Sequence, residues 1–85
     1  MYITDYITID PNICHGKPCF KGTRIMVYLV LEMLAAGETP DDVIAAYPDL
    51  TKDAIAAALL FAAKTTAVSE REVPFAQPLH ASVSR

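Results

Sequence analysis

The chain has 85 residues, a formal net charge of -3 and an apolar content of 53%. This length allows one small domain, and the high apolar content with a low net charge excludes an intrinsically disordered chain. The slightly acidic balance also argues against a strongly basic nucleic-acid binder.

The N-terminal part predicts a small β element. Residues 6–9 alternate with β-branched side chains, as in a short strand, and turn residues follow from Asp10 to Asn12. Farther on, Gly16 and Gly22 bracket a brief extended segment around Cys19. Two such short strands are expected to pair as a hairpin that packs against helices, because an isolated hairpin is barely stable.

Two helices are predicted next. The first covers residues 25–36 and ends at Gly37, a residue suited to the left-handed position after a helix. The second has Thr39 as its N-cap and Pro40 at its first position, and Pro48 forces it to end near Tyr47. A short turn then leads directly into a third helix, which is the spacing of a helix-turn-helix unit.

The third predicted helix, residues 51–67, organises the chain. Residues 54–63 are ten apolar residues without a polar interruption, so the middle turns have no polar face. Either the domain packs this helix alone as a core helix, or a second copy or a partner covers part of it. We favour the second alternative, because large exposed apolar patches are rare in monomers. The dimer-interface candidates are Leu59, Leu60, Phe61 and Ala63.

Residues 69–85 differ in character from the preceding domain, residues 1–68. They contain Pro74 and Pro78 and little periodicity, so no helix is predicted. Such a tail is either unstructured or ordered against a partner, and its apolar side chains are the partner-binding candidates: Val73, Phe75 and Leu79.

The DNA-binding candidates fall into two groups. The first group is a basic cluster in a glycine-containing loop, made of Lys17, Lys21 and Arg24. This loop could clamp phosphates. Alternatively, it is a structural turn in which Arg24 is held by a carboxylate or by helix carbonyls. Thr51 and Lys52 begin the third helix, which would be the recognition helix by topology. That helix lacks the exposed Arg, Asn or Gln of direct base readout, and several nearby aspartates would repel the DNA backbone.

No catalytic, metal or cofactor site is predicted. Cys14, His15 and Cys19 offer three potential ligands where a zinc site needs four, so the cysteines are interpreted as small apolar residues. Cys14 and His15 are adjacent and would point to opposite sides of a strand, which excludes a nucleophile–base pair. The protein is expected to be a non-enzyme without cofactors.

A cytoplasmic location is predicted from three features. The N-terminus lacks the basic and then apolar order of a signal peptide. The ten-residue apolar run is shorter than the roughly 20 residues of a membrane span. Two cysteines without a secretory signal fit free thiols in a reducing compartment.

Three segments together, GKPCFKGTRI, LAAG and DDVIAAYPDLT, indicate a family. From residue 7 to about residue 63 the chain resembles the small bacterial family known as domain of unknown function 433. Its pattern is ITxDPxxxxGKPxxxGTRI, a helix ending in LAxG, a short helix, YPxLT and an alanine-rich helix. This chain departs from it at His15, where glycine is usual, at Cys19, where a β-branched residue is common, and at Met26, where proline often opens the first helix.

Members of that family resemble helix-turn-helix proteins of homeodomain-like shape, and many look like antitoxins encoded beside a PIN-like ribonuclease toxin. The resemblance therefore implies a mainly α, tri-helical helix-turn-helix fold with a short N-terminal β element. It also implies a homodimeric antitoxin that binds and neutralises a PIN-like toxin. A weak DNA contact in some assembly is expected from the helix-turn-helix topology, although the charge pattern opposes it. The alternatives are a stand-alone DNA-binding transcriptional regulator and a purely structural module.

Overall fold

The computed structural model describes residues 1–67, which form three α-helices beside a two-stranded antiparallel sheet. The strands are β1 (Ile7–Thr8) and β2 (Cys19–Phe20). The helices are α1 (Val27–Ala35), α2 (Pro40–Ala46) and α3 (Lys52–Ala67). The predicted mainly α fold with an N-terminal β element is confirmed.

The hairpin pairs Ile7 with Phe20 and Thr8 with Cys19. A sharp turn follows β2 and contains Gly22, whose φ of +79° is a left-handed conformation that glycine adopts without strain. The Thr23 hydroxyl fixes this turn, since it donates to the Phe20 carbonyl at 2.8 Å and accepts the Ile25 N–H at 3.0 Å. The GTRI segment is therefore a hydrogen-bonded turn that returns the chain along β2.

Helix α1 begins two residues later than predicted. Ile25 and Met26 pair with β2 instead of joining the helix. The Ile25 carbonyl accepts the Phe20 N–H at 2.9 Å, and Met26 forms an isolated bridge with Cys19. The predicted end is confirmed. Gly37 has a φ of +98° and donates to the Leu34 carbonyl, and the next N–H reaches the carbonyl at residue 33, which is a Schellman cap.

Helix α2 begins with the predicted cap and proline. The Thr39 hydroxyl accepts the Asp42 N–H at 3.1 Å, and the Asp42 carboxylate accepts the Thr39 N–H at 2.8 Å, which together form a capping box. The hydrogen bonds from Thr39 lower the pKa of the Asp42 carboxyl from its ordinary value. The helix ends at Ala46, just before Tyr47 and Pro48.

The core lies where the hairpin and all three helices meet. Helix α3 packs against α1, α2 and β1, and its N-cap is Thr51, whose hydroxyl accepts the Ala54 N–H at 3.1 Å. The small side chains on its inner side allow close packing. The buried residues of this core are Ile7, Phe20, Val27, Val30, Val43, Leu50, Ala54, Ile55, Ala57 and Ala58.

His15 is strained. It has a φ of +56°, a left-handed conformation that costs most side-chain-bearing residues roughly 1–2 kcal/mol. A glycine at this position, as the resemblance described above leads us to expect, would relieve that strain. Glycine also adds about 0.4–1 kcal/mol of chain entropy to the unfolded state, which offsets part of the gain.

We therefore expect His15→Gly to raise the free energy of unfolding by about 0.5–1 kcal/mol, measured by urea denaturation. The control is His15→Ala, which removes the exposed imidazole but keeps the left-handed strain. A glycine variant no more stable than the alanine variant would contradict the role assigned to the backbone.

Candidate functional site

The basic loop does not form a single site. Lys17, Lys21 and Arg24 are all exposed, but Lys17 and Arg24 line different surfaces. Arg24 borders two clefts around the hairpin turn, together with Thr23 in one and Cys14 in the other. Lys17 lies instead at a groove between α1 and α3. Within residues 1–67, Arg24 makes no ion pair, so the predicted carboxylate partner is not found there.

The start of α3 presents little that could read DNA. The Thr51 hydroxyl is used as the helix cap, and Lys52 Nζ lies 3.4 Å from an Asp41 carboxylate oxygen. Both charged side chains are largely exposed, so this pair is weak, but it places a negative charge next to the only lysine of the first turn. Asp53 adds another negative charge in the same turn.

The four dimer-interface candidates on α3 lie on two sides of the helix. Leu59, Leu60 and Ala63 are exposed, with 51% of Leu59 and 37% of Leu60 accessible to solvent. Phe61 is half-buried and packs against the core from the other side. The structure thus separates an outer apolar face of α3 from an inner side that holds Phe61.

A groove of about 340 Å³ runs between α1, α3 and the residues just before β2. Its walls are almost entirely apolar, and Lys17 supplies the charged group at its edge. Tyr28 is 47% exposed at this groove. Its position outside the buried face of α1 does not by itself predict a functional role. The full lining is Lys17, Pro18, Val27, Tyr28, Leu31 and Phe61.

The cysteines are free thiols in the protein interior. Cys14 and Cys19 are both buried, and Cys19 Sγ donates to the Thr23 carbonyl at 3.6 Å. Burial and a hydrogen bond with the Cys14 thiol raise the pKa of Cys19 from 9.0 to about 11. A thiol with such a pKa is a poor nucleophile near neutral pH. Residues 1–67 contain no cluster of three or more acidic, histidine or cysteine side chains that could hold a metal ion.

The remaining candidates, Val73, Phe75 and Leu79, lie outside the residues that the structure describes. No helix within residues 1–67 has the length and apolar character needed to cross a bilayer.

Residues 7–62 match the family described as Protein of unknown function (DUF433). The chain belongs to this family. The DUF433 segment ends within α3 and includes Thr23, Gly37 and the α2 cap, so the residues that shape the fold lie inside it.

One relative of this DUF433 protein is the uncharacterized protein y4eO of Sinorhizobium fredii, 34% identical over 58 residues. The match covers 68% of this chain and 26% of the relative, so the chain spans about a quarter of that protein's length. No solved structure matches the chain.

Proposed function

We propose that this DUF433 protein is a non-catalytic protein-binding module of the antitoxin type, which acts in the cytoplasm by binding and neutralising a PIN-like toxin. The toxin class is the one implied by the family resemblance. The observation that carries the binding role is the apolar groove between α1 and α3, with Tyr28 exposed at its edge.

The groove suits a protein partner by its size and chemistry. Concave apolar sites with few polar groups accept an apolar side chain of a partner, and exposed tyrosines frequently anchor such contacts. Lys17 is the charged group beside it, so the preferred partner segment has a carboxylate next to its apolar anchor. A toxin with an acidic active cleft supplies such a carboxylate. The tail candidates Val73, Phe75 and Leu79 are assigned a second contact that blocks that cleft.

The test is binding to the purified product of the neighbouring reading frame, measured by calorimetry, and rescue of growth when the two are co-expressed. Tyr28→Asp in the full-length chain should weaken binding at least tenfold and abolish rescue. The matched control is Tyr2→Asp, at another exposed tyrosine away from the groove, which should leave both unchanged.

The tail is tested in the same assays with a triple variant that carries Val73→Asp, Phe75→Asp and Leu79→Asp. Equal affinity of wild type, Tyr28→Asp and the triple variant, or no binding by wild type, would overturn the proposal.

The second candidate is a DNA-binding regulator that uses the helix-turn-helix shape. It is favoured by the exposure of Lys17, Lys21 and Arg24, none of which is ion-paired within residues 1–67. Binding to duplex DNA that weakens with increasing salt would support it. Lys17→Ala and Arg24→Ala should then each reduce the slope of log affinity against log salt concentration by about one. Binding unaffected by either substitution would exclude this basic loop as the contact.

A further inference from the structure

The outer face of α3 carries a row of apolar side chains that the rest of residues 1–67 leaves uncovered. Ala56, Leu59, Leu60 and Ala63 are all exposed. Their spacing of three, four and seven residues from Ala56 places them on one side of two helical turns. Because the inner side of α3 already forms the core, this helix has apolar surfaces on both sides.

The outer row is symmetric about its own midpoint, between Leu59 and Leu60. A second copy of α3, turned end for end about this point, places its Ala63 opposite Ala56 and its Leu60 opposite Leu59. The two leucines of each helix then pack together in the middle, and the small alanines at both ends let the helix backbones approach closely. The row is therefore complementary to itself in the antiparallel direction, as a two-fold interface requires.

The charges beside this row distinguish the antiparallel from the parallel direction. Asp53 and Lys64 are both exposed and lie eleven residues, or about three turns and roughly 16 Å, apart on the same side of α3. In the antiparallel arrangement, Asp53 of each copy lies within one turn of the partner's Lys64, which gives two symmetric ion pairs. In a parallel two-fold arrangement, Asp53 and the partner's Lys64 would lie about three turns apart along the axis, so these ion pairs could not form.

We propose that a second copy of this chain docks on the outer face of α3, antiparallel, with the symmetry axis between Leu59 and Leu60. Leucine packing supplies the affinity, and the Asp53 pairs with the partner's Lys64 set the direction, since exposed ion pairs are individually weak. The hollow of about 230 Å³ that begins beside Ala56 and Leu59 extends the contact, because the last turns of the partner's α3 run past it. This homodimer is independent of toxin binding, which uses the groove on the other side of Phe61.

The affinity is tested by sedimentation equilibrium of the isolated full-length chain between about 1 and 100 µM. Wild type should sediment as a dimer at the upper end of this range. Leu59→Glu and Leu60→Glu should each raise the dissociation constant at least tenfold, while circular dichroism shows an unchanged helix content. Ile9→Glu is the control, at an exposed apolar position outside α3 and outside the groove, and should stay dimeric. A wild-type monomer at 100 µM, or glutamate variants that dimerise as wild type does, would overturn the proposal.

The direction is tested by disulfide trapping under mild oxidation, with wild type as the baseline for the buried native cysteines. A mixture of Ala56→Cys and Ala63→Cys proteins should form the mixed dimer. Ala56→Cys alone should not, because the two copies of residue 56 would lie about 10 Å apart along the helix axis, beyond disulfide reach. In addition, Asp53→Lys and Lys64→Asp should each weaken the dimer, and the double variant should recover. Efficient self-linking of Ala56→Cys would overturn the antiparallel arrangement.

Discussion

Replacing Phe20 by alanine should lower the free energy of unfolding by about 3–5 kcal/mol at 25 °C. Phe20 is 1% exposed and is among the largest fully buried side chains of the core. Truncating a buried phenylalanine costs about 3–5 kcal/mol, through lost apolar burial and the cavity left behind. A folded unit of this size has a total stability of roughly 3–10 kcal/mol, so the loss is a large fraction of the total.

Urea denaturation followed by circular dichroism measures this effect. Phe20→Leu keeps most of the apolar volume and should cost less than half as much. Tyr28→Ala truncates an aromatic residue that is 47% exposed, and it should change stability by about 1 kcal/mol or less. If Phe20→Ala were as mild as Tyr28→Ala, the hairpin would not be part of the core, and the packing of β2 against the helices would be wrong.

The helix ends of this chain were predictable because their signals are local. Gly37 ends α1 with a left-handed residue, and Thr39 with Pro40 begins α2, all as the sequence predicts. The start of α1 was predicted two residues early because its position depends on a distant contact. Ile25 and Met26 are apolar and compatible with a helix, but β2 pairs with them and holds them extended.

The candidate surfaces were less predictable than the fold, for a similar reason. Composition alone shows that α3 is apolar on all sides, but only packing shows that Phe61 turns inward while Leu59 and Leu60 remain outside. Likewise, the short spacing of Lys17 and Arg24 suggested one basic cluster. The hairpin separates them, so that one lies at the α1–α3 groove and the other at clefts beside the hairpin turn.

The residues that identify the family are explained by structure. The Pro18 carbonyl accepts the Val27 N–H at 3.0 Å, Thr23 fixes the hairpin turn, and Thr51 caps α3. These contacts give one residue in each of GKP, GTRI and YPDLT a structural role. The proposed partner surfaces combine Lys17 and Pro18 of the GKP segment with side chains outside the three segments, such as Tyr28 and Leu59.

Cys19 should make the protein less stable as the pH rises from about 9 to 11. Its thiol is fully buried, and burial followed by the hydrogen bond with the Cys14 thiol raises its pKa from 9.0 to about 11, against the opposing charge of Arg24. In this window the unfolded chain has lost the Cys19 proton while the folded chain keeps it. The unfolded state then binds fewer protons, so the free energy of unfolding falls with increasing pH. Below pH 9 both states keep the proton, and the contribution of the Cys19 thiol to stability is present in full.

The measurement is the urea midpoint at pH 8, 9, 10 and 11 for wild type and Cys19→Ala. Lysine and tyrosine ionisation affects both proteins, so the difference between their slopes isolates Cys19. The alanine variant should be less stable at pH 8 because it leaves a small cavity, and its stability should fall less steeply above pH 9. Parallel pH profiles for the two proteins would contradict this prediction, because they would mean that the Cys19 thiol ionises as readily in the folded as in the unfolded chain.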